Sequence, residues 1–180
     1  MAAARFAEKS TLGAGEILHT LEPLKAPLES GRLMGDEFVT RGMSMIHFTG
    51  TREEFADTWC DIFATNTPME ATLAALPPDM PRFLLSNTSD LHKEHLLAAF
   101  PIFRHFQDGV YSYLAGCMKP EAEIFDIATT ALALDPAETF FVDDLAPNIA
   151  TAASLGFVTH HYDPADHPAF ERALREWLDS

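Results

Sequence analysis

Basic residues are scarce in this sequence. Lysine and arginine together number 12 against 27 aspartates and glutamates, which gives a formal net charge of −15 at pH 7. A chain with this charge is repelled by nucleic-acid phosphates and by anionic membrane surfaces, because all of them carry negative charge. The composition therefore predicts no nucleic-acid partner and no membrane partner.

Cysteines and long apolar runs are also few. The two cysteines, Cys60 and Cys117, form no CxxC pair and lie in no zinc-like cluster, which is typical of reduced, buried thiols in a cytosolic protein. The first ten residues carry Arg5, Glu8 and Lys9 and lack the apolar core of a signal peptide. No run approaches the roughly 18 apolar residues of a membrane span. We expect a soluble, cytoplasmic protein.

Apolar residues recur at helical spacing in the first part of the chain, up to the pair of prolines at 77 and 78. Phe55 and Trp59 are one helical turn apart, and Thr51 precedes them with two glutamates close behind it. A threonine followed by acidic residues is typical of a helix start, since the acids lie near the positive end of the helix dipole. This pattern predicts several short helices and no strand in residues 1–76.

Short apolar runs alternate with helical patterns in the rest of the chain. The predicted strands lie at 83–85, 110–113, 140–142 and 156–160, and the predicted helices at 92–100, 122–134, 149–155 and 168–178. This order predicts an α/β domain over residues 77–180, with a parallel sheet covered by helices on both faces. Ligands of such sheets bind beyond the carboxyl ends of the strands, so polar residues that follow apolar runs are the candidates for function.

A polar cluster, Ser86, Asn87 and Thr88, follows the first of these strands. A hydroxyl and an amide at a strand end, just before a helix, can donate hydrogen bonds to phosphate oxygens. The same residue types are also good helix N-caps, as is Asp90, so capping is the alternative interpretation.

Lys119 precedes Pro120, which suits the first turn of a helix. A lysine placed in this way can neutralise a phosphate or organise a carboxylate. The alternative is an ordinary solvated lysine.

Two adjacent acids, Asp143 and Asp144, come directly after an apolar strand. Such a pair repels itself unless a cation lies nearby. Carboxylate oxygens suit Mg²⁺, which usually binds through one or two carboxylates together with a substrate phosphate. Asn148 lies one helical turn further on and can support the same site. The alternative is a polar turn that caps the next helix.

The order of a hydroxyl, a lysine and paired acids resembles the haloacid dehalogenase-like (HAD-like) hydrolases, and the resemblance covers nearly the whole chain. It lies in 83–88, in Met118-Lys119-Pro120-Glu121, and in 141–144 with Asn148. The nearest branch is similar to sugar-phosphate phosphatases and the N-terminal phosphatase domains of epoxide hydrolases. The resemblance implies a Rossmann-like three-layer core with a parallel sheet at 77–180 and an N-terminal helical cap at 1–76.

The resemblance also implies roles for the candidate residues. Ser86 and Asn87 would hold the phosphoryl group of a small phosphorylated metabolite, and Lys119 would balance its charge. Asp144 would ligate Mg²⁺, supported by Asp143. An aspartate would attack phosphorus and form an aspartyl-phosphate that water hydrolyses. The dehalogenase branch needs no metal, and the paired acids favour the phosphatases instead.

One element of the resemblance is missing. Family members begin with an apolar strand that ends in the nucleophilic aspartate, whereas this chain opens on a segment similar to the first cap helix. Asp61 and Asp36 follow no apolar strand and are poor substitutes. We therefore expect the first core strand to be absent, two neighbouring strands to lack a partner, and the chain to be inactive.

Two alternatives come from other classes of protein. The first is a non-catalytic module that keeps the pocket at Ser86, Asn87 and Lys119 and binds a phosphorylated metabolite or a protein. The second is a signalling receiver domain, which also uses paired acids, a hydroxyl and a lysine. In receiver domains the acids come first in the chain, whereas here they come last, so the receiver interpretation is disfavoured.

Overall fold

The computed structural model describes residues 2–180, which form ten α-helices and four short β-strands. The helices are α1 Ala2–Ala7, α2 Ala14–Glu29, α3 Gly35–Met45, α4 Arg52–Cys60, α5 Thr67–Ala75, α6 Asp90–Ala99, α7 Ser112–Ala115, α8 Ala122–Ala131, α9 Ala146–Ser154 and α10 His167–Leu178. The strands are β1 Phe83–Ser86, β2 Asp108–Tyr111, β3 Phe140–Asp143 and β4 Val158–His161. The expectation of helices and no strand in the first 76 residues is confirmed for residues 2–76.

The chain divides into two compact units, each made of several segments. The first unit comprises the described residues up to Thr65, with Asn87–Phe103 and Tyr111–Gly116. The second comprises Asn66–Ser86, Arg104–Val110 and Cys117–Ser180. The sequence predicted two continuous segments instead, a cap at 1–76 and a core at 77–180. That division stays a prediction.

The first unit is a helical bundle around an aromatic core. Phe6, Phe38 and Phe55 are at most 1% exposed, and the Phe55 ring packs against the other two. Gly42 on α3 permits this packing, because a Cβ atom there would lie 2.4 Å from Cζ of Phe55. The absence of a side chain at this position therefore lets α3 and the Phe55 ring come into contact.

Helix α4 begins as the sequence predicts. The Thr51 hydroxyl accepts a hydrogen bond from the Glu54 amide at 3.1 Å, and the Glu54 carboxylate accepts one from the Thr51 amide at 2.8 Å. This reciprocal capping box satisfies two amide donors that have no partner inside the helix. The helix start at Thr51 is confirmed.

The second unit contains two separate two-stranded sheets, β1 with β2 and β3 with β4. Strands β3 and β4 are parallel, with Phe140 opposite Val158 and Asp143 opposite His161. Helix α8 is held by Ile124 and Phe125, both fully buried, and Phe125 meets the Phe141 ring with centroids 5.4 Å apart. The α/β class is confirmed.

The sheet of the second unit is divided rather than continuous. Among residues 2–180, each strand is hydrogen-bonded to one neighbouring strand. All four residues of β1 and the three apolar residues of β3 are only partly buried. Strands of a fully covered parallel sheet are buried on both faces, which these strands are not. The expected absence of the first core strand stays a prediction.

Several predicted boundaries are wrong by a few residues. The second strand ends at Tyr111, and Ser112 begins a short helix instead of continuing the strand. The reason is tertiary, since the buried Ser112 hydroxyl donates to the Glu29 carbonyl and accepts from the Thr88 amide. Helix α8 ends at Ala131, three residues before its predicted end, and Ala133 adopts a positive φ of 51°.

Both cysteines are free and buried, as predicted. Burial raises the pKa of the Cys60 thiol to about 11, and the nearby Asp57 charge adds to this shift. Of the helices formed by the described residues, none has both the length and the apolar character needed to cross a bilayer.

Candidate active site

A buried ion pair lies at the centre of the candidate site. The Lys119 ammonium donates to Oδ2 of Asp143 at 2.6 Å, and the two side chains are 11% and 5% exposed. Removing one charge of a buried ion pair costs about 3–5 kcal/mol in proteins, because the remaining charge loses its counter-ion. The sequence predicted both residues for the site, and the structure brings them into contact.

Asp143 is oriented by more than this lysine. It is the last residue of β3, and its Oδ1 accepts hydrogen bonds from the Leu145 amide and the Asn148 side chain, both at 2.8 Å. Asn148 is buried on α9. Three donors therefore hold both oxygens of the Asp143 carboxylate.

Asp144 differs from its neighbour. It is exposed, and within the part of the chain that the structure describes its carboxylate has no hydrogen-bond or ion-pair partner. Its backbone carbonyl is 3.0 Å from Nε2 of His161 on the adjacent strand. The side chain of Asp144 is thus available to a ligand, whereas that of Asp143 is already held.

A pocket of about 350 Å³ opens beside the two acids. It lies within the second unit and is lined by Asn66, Met69, Val142, Asp143, Asp144, Tyr162 and Pro164. Sequence reasoning identified the two acids and missed Asn66 and Tyr162. No local signal marks these two, because Asn66 is more than 70 residues from the acids and Tyr162 follows an ordinary strand.

The surroundings of Lys119 correct one prediction. Pro120 does not lie in the first turn of a helix; α8 begins at Ala122, and its N-cap is Glu121. A tight turn precedes the helix instead, closed by the Glu121 amide donating to the Met118 carbonyl at 2.8 Å. This turn, and not the helix itself, carries Lys119. The Lys119–Pro120 peptide bond is cis.

Ser86 and Asn87 lie at the carboxyl end of β1. The helix cap suggested as their alternative role belongs to Ser89, whose hydroxyl accepts from the His92 amide at 3.2 Å. Among the described residues, the Ser86 hydroxyl forms no hydrogen bond. Ser86 belongs to the second unit with Lys119, and Asn87 begins a segment of the first unit.

The two substitute aspartates considered above lie in other surroundings. Asp36 is in the first turn of α3 and pairs with Arg52 at 2.5 Å. Asp61 follows α4 and pairs with Arg5 at 2.5 Å. Neither follows a β-strand, and both carboxylates are in ion pairs.

Comparison with known proteins identifies the family. A model described as "haloacid dehalogenase-like hydrolase" matches residues 50–156, more than half of the chain. The chain belongs to the haloacid dehalogenase-like hydrolase family. The matched segment of this HAD-like hydrolase contains Ser86, Lys119 and both acids of the pocket.

Two relatives extend the comparison. A D-ribitol-5-phosphate phosphatase from Bacteroides thetaiotaomicron is 32% identical over 162 residues, which cover 85% of this HAD-like chain and 77% of that protein. Acyl-CoA dehydrogenase family member 10 from Mus musculus is 37% identical over 90 residues, which cover 49% of this chain. The chain spans only 8% of the length of the mouse protein.

Solved structures agree with the family. A predicted HAD-like hydrolase from Porphyromonas gingivalis has a TM-score of 0.78 at 29% identity and covers 97% of this chain and 89% of its own. A HAD family enzyme from Bacteroides thetaiotaomicron, in complex with magnesium and inorganic phosphate, has a TM-score of 0.79 at 26% identity. That comparison covers 91% of this chain and 85% of the other.

Proposed function

We propose that this chain has the phosphate-binding and magnesium-binding side of a phosphatase that acts on small phosphate monoesters. The observation that carries the proposal is the buried Lys119–Asp143 pair, joined at 2.6 Å beside the exposed carboxylate of Asp144. A buried cation whose partner acid lines a pocket together with the exposed Asp144 suits an anionic ligand that arrives with a metal ion.

Lys119 is proposed as the residue that balances charge. Its ammonium is held by Asp143 and lies 5.7 Å from the centre of the Phe141 ring, in surroundings with little water. Electrostatic attraction between this ammonium and a phosphoryl group is stronger there than in bulk solvent. Asp143 is proposed to fix the position of the lysine as well as the turn that carries Asp144.

The residues present fit Mg²⁺. Within residues 2–180 there is no group of three or more His, Cys, Asp or Glu side chains arranged to hold a metal ion. Mg²⁺ often needs no such group, because one or two carboxylates, waters and the substrate phosphate complete its shell. Asp144 would be the direct ligand, with Asp143 in support. The bound ion would neutralise charge on the phosphoryl oxygens.

Ser86 and Asn87 are proposed to bind the phosphoryl group itself. The Ser86 hydroxyl is at a strand end and is partly buried, without a hydrogen-bond partner among the described residues. A phosphate oxygen would supply the acceptor that this hydroxyl lacks. The capping role that competed with this proposal is filled by Ser89.

We further propose that the chain by itself does not turn over substrate. An aspartyl-phosphate route requires a nucleophilic carboxylate besides a metal ligand. The described pocket lining contains two carboxylates, of which Asp143 is fully held and Asp144 is proposed for the metal. The alternative of a non-catalytic binding module also predicts binding without turnover. One experiment therefore tests both this proposal and that alternative.

That experiment measures binding and turnover on the same preparation. Titration of the purified chain with inorganic phosphate by calorimetry, with and without MgCl₂, should show binding that depends on Mg²⁺. Incubation with p-nitrophenyl phosphate and Mg²⁺ should release no nitrophenol. Asp144→Asn should abolish the Mg²⁺ dependence, whereas Asp126→Asn, an exposed acid on α8, should leave it unchanged.

The outcomes separate the parts of the proposal. Phosphate binding that does not depend on Mg²⁺, or that is equally strong in Asp144→Asn, would overturn the metal assignment. Release of nitrophenol that is lost in Asp144→Asn would overturn the claim of no turnover and favour a complete enzyme. Absence of phosphate binding under all conditions would overturn the proposed function.

A further inference from the structure

A chain of hydrogen bonds leads away from the pocket into the second unit. Asn66 Nδ2 donates to the Tyr162 hydroxyl at 3.0 Å, and that hydroxyl is 3.1 Å from Nδ1 of His167. Nε2 of His167 is 3.0 Å from the Thr72 hydroxyl, which lies 3.3 Å from the Glu171 carboxylate. The first two residues line the pocket, and the other three lie behind them on α5 and α10.

The donor and acceptor roles are fixed at both ends of this series of hydrogen bonds. The Met69 amide donates to Oδ1 of Asn66 at 3.2 Å, so the amide group of Asn66 presents Nδ2 to Tyr162. At the other end Glu171 is an acceptor only, so the Thr72 hydroxyl gives it its one hydrogen. Thr72 must then accept from His167.

These ends set the direction of every hydrogen bond between them. In the neutral form of His167, the imidazole carries its hydrogen on Nε2, which donates to Thr72 and lies 3.8 Å from the Glu171 carboxylate, and Nδ1 is left as an acceptor. The Tyr162 hydroxyl therefore donates inward, to Nδ1 of His167. Its oxygen has already accepted one hydrogen bond from Asn66 and has one lone pair left.

We propose that Tyr162 accepts a hydrogen bond from a hydroxyl group of the substrate, and that His167 and Thr72 are positioning residues for it. Tyr162 lines the same pocket as Asp144, so a ligand whose phosphate lies at the acids can reach it. The fully ionised phosphate of a monoester has no hydrogen to give to this lone pair, whereas an alcohol has one. The inference rests on the proposed function and narrows its substrate class to phosphate monoesters with further hydroxyl groups.

Two ligands of equal carbon number test the proposal. Glycerol phosphate carries hydroxyl groups that propyl phosphate lacks, and each is titrated into the chain by calorimetry with saturating MgCl₂. The unsubstituted chain should bind glycerol phosphate about threefold to tenfold more tightly, the range expected for one net hydrogen bond. Tyr162→Phe should remove this preference. Tyr111→Phe, which keeps the ring beneath the Lys93 ammonium, should retain it.

Inorganic phosphate separates failure of this inference from failure of the proposed function. Phosphate binding that is equal in the unsubstituted chain and Tyr162→Phe, together with no preference for glycerol phosphate, overturns the role of Tyr162 alone. No Mg²⁺-dependent phosphate binding by the unsubstituted chain overturns the proposed function and this inference with it. Circular dichroism of each variant checks that the fold is kept.

The positioning role has its own measurement, which needs no ligand. Long-range proton–nitrogen correlation spectra report which nitrogen of His167 carries the hydrogen. The unsubstituted chain should show the Nε2–H form, and Thr72→Val, which removes the acceptor, should shift the population towards Nδ1–H. An Nδ1–H form in the unsubstituted chain would overturn the proposal, because the Tyr162 hydrogen would then be free to point into the pocket.

Discussion

The two units of this chain bury their apolar residues to different extents. In the first unit Phe6, Phe38 and Phe55 are at most 1% exposed and form one continuous aromatic core. In the second unit the helices bury Ile124 and Phe125 completely, yet the strands β1 and β3 remain partly exposed along their apolar residues.

The difference lies in how helices and strands satisfy their backbones. A helix forms its hydrogen bonds within itself, so a bundle closes as soon as apolar faces meet. A strand needs at least one neighbouring strand to pair its backbone groups, and that neighbour often comes from a distant part of the chain. Among the described residues each strand of the second unit pairs with one neighbouring strand, and the candidate site residues Ser86 and Asp143 lie at the ends of two of these strands.

The largest expected effect on stability comes from a substitution in the aromatic core of the first unit. Phe55→Ala should destabilise the protein by about 3–5 kcal/mol, the usual cost of removing a buried aromatic ring. Phe141→Ala in β3 removes the same atoms from a partly exposed site and should cost roughly half as much. Urea unfolding, followed by tryptophan fluorescence and far-UV circular dichroism, measures both. Equal losses would contradict the contrast drawn between the units.

The next largest effect is the difference in stability loss between variants of two neighbouring acids in the second unit. Asp143→Ala removes the partner of the buried Lys119 ammonium and the acceptor of Asn148, and should cost about 3 kcal/mol. Asp144→Ala removes an exposed carboxylate that has no partner among residues 2–180, and it should change stability by less than about 0.5 kcal/mol. The same unfolding experiment, without added metal, checks the pair. Similar losses for both would show that the ion pair contributes little.

A smaller effect is the pH dependence of stability that arises from His92 in the first unit. Burial lowers the pKa of His92 from its usual 6.5, and the imidazole stacks on the Trp59 ring at 5.7 Å. The folded protein therefore holds His92 neutral while the unfolded chain takes up a proton below pH 6.5. By linkage, stability should fall as the pH drops below that value.

His92→Gln tests this titration, with His19→Gln as the matched control on an exposed residue. The urea midpoint is measured from pH 8 to pH 5 for each variant. His92→Gln should lose less stability on acidification than the unsubstituted chain, and His19→Gln should follow the unsubstituted curve. Identical curves for all three proteins would show that His92 does not titrate on unfolding.

The smallest effect is on the surface of the first unit. The Arg52–Asp36 pair is joined at 2.5 Å, but its side chains are 48% and 92% exposed. Solvent-exposed pairs of this kind contribute about 0.2–1 kcal/mol, and salt weakens them further. Arg52→Ala should therefore lower stability by less than about 1 kcal/mol, with the difference shrinking in 0.5 M NaCl. A larger loss, unaffected by salt, would indicate that packing of the arginine stem dominates.

Much of the site could be predicted from sequence because its residues follow apolar strands at short range. Ser86 and Asp143 were identified in this way, and the structure places each at the last position of a strand. The turn before α8 was missed, since Pro120 fits both a helix start and a turn, and the Met118–Glu121 hydrogen bond decides between them.

Some features of this protein follow from the local sequence, and others follow only from the tertiary structure. Local sequence determined the helical first part, the capping box at Thr51 and the alternation of strands and helices, because hydrogen-bonded turns and apolar periodicity act over a few residues. Only the tertiary structure decided that Asp143 is held by three donors while the Asp144 carboxylate has no partner in the described part of the chain. It also decided that Tyr162 and Asn66 share their pocket. Those facts depend on contacts between residues far apart in the chain, which no short pattern encodes.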